Sequence, residues 1–250
     1  MTAGHAIGTL AISLLYCVVF LRGRTLDALG RVGHRRALSL AGGAAVAYVF
    51  VDLAPEVQEA AHGFREANAG LAQHVLEYGI QIAMMLGFVL FYGMEVLVVP
   101  GRGDADHGSL TPAHAENPMF GIHMLGFAAY AWTVNYLLVR THLAPTIELA
   151  FYAFAMALHF LGLAHGLRAE HGARYDRVGS RLLAAACLAG WASGIAFGMS
   201  RSVLAVLLGV LAGGIIANVM ISELPRKKEG HFGAFVLGAM GYTVLLLLGR

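Results

Sequence analysis

The sequence predicts an all-α integral membrane protein, a bundle of eight transmembrane helices, and three observations support this class. Hydrophobic residues make up 58% of the 250 residues and charged residues only 13%, a composition typical of membrane proteins. Eight stretches are apolar and long enough to cross a hydrocarbon core of about 30 Å, which takes about 20 helical residues. A phrase near the amino end also recurs near the carboxyl end, which predicts an internal repeat.

The eight predicted helices occupy nearly the whole chain, so we predict a single transmembrane domain over residues 1–250. They are residues 4–21, 37–54, 78–99, 119–139, 147–167, 181–199, 203–223 and 232–249. The first 22 residues lack a basic leading region and a small-residue cleavage site. We therefore predict a retained first helix rather than a signal peptide.

The basic residues predict the orientation of these helices. The loops after the first, third, fifth and seventh helices hold 13 of the 17 Lys and Arg residues. Basic residues concentrate in cytoplasmic loops, so both termini are predicted to lie on the non-cytoplasmic side, in the inner membrane of a bacterium. The net charge of +2 reflects these flanking arginines and indicates no nucleic-acid partner.

Two internal repeats predict how the helices are arranged. Residues 40–53 read LAGGAAVAYVFVDL and residues 211–224 read LAGGIIANVMISEL. The second helix runs outward and the seventh inward, so this repeat is inverted. The central helices share a second phrase, HMLGFA at 123–128 and HFLGLA at 159–164. Inverted repeats are typical of transporters, and the pattern predicts three helices, two helices and three helices in a 3+2+3 arrangement.

The remaining features have simpler interpretations. Cys17 and Cys187 fall inside apolar helices, so we predict small buried side chains rather than a disulfide or a thiolate metal site. Glycines spaced four apart predict close helix packing. The loop 100–117, which contains His107 and His114, is predicted to be flexible and to face the inside. Since no nucleophile is paired with a base at a recognisable spacing, we do not predict an enzyme.

Ionisable side chains within the predicted helices are costly in a bilayer and therefore indicate a function. At a rise of about 1.5 Å per residue, His159 lies near the middle of its helix. His123 and His165 lie roughly 10 Å toward the inside. Imidazoles suit zinc, copper, iron and nickel, so we predict a path for a divalent cation. The predicted metal ligands are Asp52, Glu95, His123, His159, His165 and Glu223.

Each candidate also has a structural interpretation. Asp52 and Glu223 lie near helix ends, where a carboxylate can reach water or cap a neighbouring helix. Glu95 can pair with an arginine of the inner loops. Each histidine can serve as an interhelical hydrogen-bond partner. Further polar groups in or beside the predicted helices are Glu56, Asn135 and Asn218.

The chain resembles the ZIP (Zrt/Irt-like) family of divalent metal transporters. Residues 40–56, LAGGAAVAYVFVDLAPE, are similar to the second helix of that family, with Asp52 where the family usually has histidine. Residues 87–95, GFVLFYGME, are similar to its third helix, and residues 211–225, LAGGIIANVMISELP, to its seventh. The resemblance implies the eight-helix 3+2+3 fold, outward termini, a histidine-bearing inner loop, a homodimer and transport of zinc or a similar ion.

The central helices depart from the family pattern. The family's fourth helix usually reads His-Asn-x-Pro-Asp/Glu-Gly and its fifth His-Glu-x-Pro-Glu-Gly. This chain keeps both histidines, but apolar residues replace the polar positions of the motifs. The replacements are Met124, Phe127, Phe160 and Leu163.

Three hypotheses therefore stay open. The first is a metal permease with an altered, histidine-based site, whose substrate is the ion and which holds no resident cofactor. The second is a ZIP-fold protein that has lost metal transport and acts on another small solute or as a membrane binding partner. The third is an electron-transfer protein with a haem between His123 and His165.

Overall fold

The computed structural model describes residues 3–22, 30–98, 118–140, 146–223 and 231–249, and the regular structure within these ranges is helical. The predicted loop 100–117, with His107 and His114, lies outside the described residues. Three π-helical stretches are Tyr48–Leu53, Tyr175–Gly179 and Val219–Glu223. The α-helices are α1 Ala3–Arg22, α2 Gly30–Ala47, α3 Ala54–Ala67, α4 Gln73–Val98, α5 Pro118–Arg140, α6 Thr146–Arg174, α7 Ser180–Ala196, α8 Arg201–Asn218 and α9 Phe232–Gly249.

The described chain contains six helical segments long and apolar enough to cross a membrane. They are Ala3–Arg22, Ser39–Ala67, Gln73–Met94, Phe120–Arg140, Leu149–Ala196 and Arg201–Ile221. The segment Leu149–Ala196 covers most of two predicted spans, 147–167 and 181–199, and the apolar helix Phe232–Leu248 is slightly shorter than the others. The all-helical class is thus confirmed, and the six segments indicate a multi-pass membrane protein. The count of eight spans stays a prediction.

Local sequence signals explain where several helices begin and end. Pro55 lies in the first turn of α3, where its missing N–H is not needed by the helix. Ser200 caps α8 by accepting a hydrogen bond from the backbone N–H of Val203. Gly172 has φ 52° and ψ −131°, a left-handed φ that glycine adopts without steric cost. The helical path of α6 is therefore interrupted at that residue.

Glycines bring two pairs of helices into close contact. A Cβ added to Gly238 on α9 would overlap the carbonyl oxygen of Leu40 on α2. A Cβ added to Gly87 on α4 would likewise overlap the carbonyl oxygen of Val210 on α8. Small residues at such positions allow helix backbones to approach each other in a membrane. Of the glycines spaced four apart in the sequence, Gly190 and Gly213 pack in the same way against the carbonyl oxygens of Trp132 and Met84, whereas a Cβ added to Gly166 would meet no atom within 4 Å.

The two copies of the repeated phrase have the same local structure. In each copy a π-helical stretch begins eight residues after the first leucine of the phrase, at Tyr48 and at Val219. The packing partners also correspond. If α1, α2, α4 and α5 are matched with α7, α8, α9 and α6, the pair α2 and α9 corresponds to the pair α8 and α4. In the same way, the pair α1 and α6 corresponds to the pair α7 and α5. Similarly, α2 contacts α6 as α8 contacts α5. Corresponding helices of the two outer thirds therefore pair with α5 and α6, although α7 packs on α5 much more extensively than α1 packs on α6.

Buried polar contacts join α1, α5 and α7. Ser13 Oγ donates a hydrogen bond to Asn135 Oδ1 at 2.7 Å, and both side chains are fully buried. Trp191 Nε1 donates to Thr9 Oγ1 at 3.2 Å. Asn135, a polar group that the sequence offered for the predicted path, therefore bonds between helices.

The two cysteines belong to the same interface between α1 and α7. Both are buried and neither forms a disulfide, as the sequence predicted. The Cys17 thiol donates a hydrogen bond to the carbonyl oxygen of Ala184 at 3.2 Å. Their role in the described structure is packing between these helices.

Candidate metal centre

Three ligand atoms lie close together where the beginning of α5 meets the end of α6. His123 Nδ1 is 2.9 Å from His171 Nε2. Glu170 Oε2 lies 3.7 Å from the same His123 nitrogen and 3.9 Å from the same His171 nitrogen. Two imidazole nitrogens and one carboxylate oxygen form a donor set suited to zinc and related ions. These three residues therefore form a candidate metal centre.

Aromatic packing and the break in α6 position this group. His123 is fully buried, and its ring lies 4.9 Å from that of Phe127, one turn further along α5. Phe120, almost one turn earlier, packs edge-on against the ring of His171 at 5.1 Å. Glu170 and His171 directly precede Gly172, where the helical path is interrupted. The side chain of Glu170 is partly exposed, so the group is accessible from one side.

The arginines near this group have contacts of their own. Arg168 Nε donates to Asp176 Oδ1 at 2.7 Å, an ion pair that spans the Gly172 break. The Arg174 guanidinium lies over the ring of Phe120 at 4.3 Å, a cation–π geometry. Asp176 thus balances one of these positive charges, and an aromatic face contacts the other.

His159 on α6 is part of a separate contact. It is almost fully buried, and its Nε2 lies 2.7 Å from the hydroxyl oxygen of Tyr130 on α5. Sequence reasoning missed Tyr130. A signal was available, because His123, Phe127 and Tyr130 follow the i, i+4, i+7 spacing of one helix face.

An aromatic layer lies between the two central histidines. The ring of Phe127 is 4.9 Å from that of His123 and 6.5 Å from that of Tyr130. Phe91 of α4 contacts both Phe127 and Tyr130, at 5.7 and 5.2 Å between ring centres. His123 and His159 are thus buried in the same core, with hydrocarbon rings between them.

Asp52 lies in the π-helical stretch after α2 and is half-buried. Its charge lies within electrostatic range of the buried residues Tyr48, Tyr152 and Tyr242. The rings of Tyr48 and Tyr152 are 6.1 Å apart. This acid therefore lies near a group of buried tyrosines.

Glu56 lies one turn beyond Asp52, on α3, and within electrostatic range of it. It lines an open cavity of about 310 Å³ between α3 and α8. Glu59 and Arg201 also line this cavity. Glu56 and Glu59 are thus next to a space that solvent or an ion can enter.

The remaining predicted residues lie on α6, on α8, on α4 and at the end of the second repeat. His165 lies six residues beyond His159 on α6 and is half-buried, and Asn218 at the end of α8 is buried. Glu95 on α4 and Glu223 at the end of the second repeat have described helical backbones. Their side chains lie outside the described part of the structure.

The structure places His123 against Glu170 and His171, two residues absent from the predicted ligand set. The haem hypothesis requires His123 and His165 on either side of an iron atom, whereas the ring contact described for His123 on α6 is with His171. The fold and this site define a multi-pass helical membrane protein with a group of two histidines and one glutamate between α5 and α6. Comparisons with protein-family models, with curated proteins and with solved structures found no match.

Proposed function

We propose that this protein is a ZIP-like permease that moves a divalent metal cation, zinc or a similar ion, across the membrane. In this proposal eight helices adopt the 3+2+3 arrangement, with both termini on the non-cytoplasmic side. The observation that supports the proposal is that corresponding helices of the two repeat halves pair with α5 and α6, the helices that hold His123 and His159. Paired repeats around a central site are typical of proteins that transport by alternating access.

The proposed path begins at the acids of the first repeat. Carboxylates at the mouth attract cations and raise their local concentration. A neutral imidazole then offers a lone pair inside the membrane without the full cost of a buried charge. Rocking of α5 and α6 against their packed neighbours would expose the ion to one side and then the other. In order, the proposed residues are Asp52 and Glu56, His159, His165 and His123, then Glu95 and Glu223 beside the inner loop.

A second candidate function is a ZIP-fold protein that no longer carries metal and acts on another small solute or as a membrane binding partner. The aromatic layer favours it, because Phe127 separates His123 from the contact between His159 and Tyr130. Met124 and Phe160, which replace polar residues of the family motifs, are almost fully buried in the same core. A path through these side chains would be dry.

Zinc uptake into proteoliposomes distinguishes the two candidates. We expect the wild-type protein to take up Zn²⁺, and the double variant His123→Ala/His159→Ala to lose at least about tenfold in rate, since loss of groups around a metal reduces activity by 10- to 100-fold. His74→Ala is the matched control, because His74 is exposed at the start of α4. Wild-type uptake no faster than in empty liposomes would favour the second candidate, and equal uptake by the double variant would refute the histidine path.

A further inference from the structure

We propose that His123, Glu170 and His171 form a resident transition-metal site that ties the beginning of α5 to the end of α6. The three atoms form a triangle with sides of 2.9, 3.7 and 3.9 Å. In a tetrahedral zinc site with bonds of about 2.0–2.2 Å, ligand atoms lie about 3.4 Å apart. Each side of the triangle is within about 0.6 Å of that length, so small side-chain shifts complete the geometry.

The donor set selects the class of ion. Imidazole nitrogens suit zinc, copper, nickel and cobalt, whereas calcium and magnesium prefer oxygen ligands throughout. Two histidines and one glutamate leave a fourth tetrahedral position for water. The partly exposed Glu170 gives an ion access to the site, and its carboxylate supplies the negative charge. Arg168 forms an ion pair with Asp176, so its positive charge repels a bound cation less than an unpaired arginine would.

The position of this site gives it a role of its own. His123 belongs to α5, while Glu170 and His171 immediately precede the break at Gly172. An ion bound to all three residues joins two helices that the proposed transport cycle would move. The ring of Phe127 separates the site from Tyr130 and His159. A bound ion would therefore hold α5 and α6 together. Binding at this site can be measured whether or not the protein transports the ion.

The test is a titration of the detergent-purified full-length protein with Co²⁺, followed by visible absorption. Tetrahedral Co²⁺ absorbs more strongly than hydrated octahedral Co²⁺, so the spectrum reports coordination as well as binding. We expect the wild type to bind about one tetrahedral Co²⁺ per chain. His171→Ala should lose the tetrahedral bands and about 100-fold or more in affinity, since loss of outer contacts alone costs 10- to 100-fold. The control His74→Ala should bind as the wild type does.

Stability without metal is measured in parallel, and if His171→Ala fails to fold, Glu170→Gln replaces it under the same criteria. Equal Co²⁺ affinity in the wild type and the folded ligand variant would overturn the site. An octahedral spectrum, or tetrahedral bands lost in His159→Ala but kept in His171→Ala, would also overturn it. Because the titration is done in detergent, a protein that binds Co²⁺ but fails in proteoliposomes loses the transport proposal and keeps this site. A protein that takes up Zn²⁺ in proteoliposomes but does not bind Co²⁺ at this group keeps the transport proposal and loses this site.

Discussion

Ser13 and Asn135 show how single polar side chains hold helices together in this core. The Ser13 hydroxyl donates to Asn135 Oδ1 at 2.7 Å, and neither residue is exposed. Ser13→Ala removes the hydroxyl, so the buried Asn135 Oδ1 loses this hydrogen-bond donor. Measured interhelical bonds of this kind contribute on average about 0.6 kcal/mol and at most about 1.7. We expect a loss of that size in the free energy of unfolding, measured by reversible unfolding in mixed micelles.

Ser193→Ala is the control for this prediction. Ser193 Oγ donates to the carbonyl oxygen of Gly190 within the same helix and is half-buried. Its removal leaves the contacts between helices intact, so we expect a change within about 0.5 kcal/mol. A loss in Ser13→Ala no larger than in this control would show that the bond between α1 and α5 adds nothing to stability.

At the residue scale, the sequence predicted which polar side chains are buried better than it predicted their partners. His123 and His159 stand out because a histidine inside an apolar helix is unusual. Glu170 and His171 did not stand out in the sequence, because hydropathy places the end of the fifth span near residue 167. The structure continues α6 to Arg174, since arginine and glutamate form helix as readily as leucine. Hydropathy therefore predicts the apolar segment and misses ligands in the next turn of the helix.

Among the helices, the two glycine contacts predict a loss of stability when either glycine is replaced by alanine. Gly87→Ala on α4 and Gly238→Ala on α9 would each place a methyl group against a backbone carbonyl of the neighbouring helix. Backbone cannot move aside as a side chain can, so we expect each variant to lose about 1–3 kcal/mol, the usual cost of overpacking. The measurement is the same unfolding assay in mixed micelles.

Each glycine has a control on its own helix. A Cβ added to Gly93 on α4, or to Gly241 on α9, would meet no atom within 4 Å. In those positions alanine brings only its better helix propensity, a gain of up to about 1 kcal/mol. The proposed packing would be wrong if all four variants changed stability in the same direction and by the same amount.

At the element scale, the repeated phrase predicted correspondence between the second and seventh helices, and the shared position of their π-helical stretches agrees with it. The π-helical geometry itself could not be predicted, because such a stretch adds a residue to the turn without a distinctive composition. Helix α3 was not predicted either. Its residues after Pro55 are polar and carry two or more charges per turn in places, so hydropathy excludes them from a span.

For the whole molecule, the number and direction of the spans can be tested with two introduced cysteines. In a Cys17→Ala/Cys187→Ala background, Ala69→Cys lies in the turn between α3 and α4 and Arg177→Cys lies between α6 and α7. Both positions are exposed in the structure. Three predicted spans separate them, so they should face opposite sides of the membrane. Because basic residues stay in the cytoplasm, we expect an impermeant maleimide to label Ala69→Cys on intact spheroplasts and Arg177→Cys only after permeabilisation.

The same experiment tests whether the segment Leu149–Ala196 leaves the membrane between the fifth and sixth predicted spans. If Leu149–Ala196 lay within the membrane as one segment, Arg177→Cys would be protected from the reagent on both sides. If both cysteines reacted on intact spheroplasts, the halves would not be inverted, and alternating access around α5 and α6 would lose its basis. Labelling after denaturation in detergent is the control, since it shows that each cysteine is present and reactive. Reaction from opposite faces therefore requires the chain to cross an odd number of times between the two positions, as the inverted 3+2+3 arrangement does.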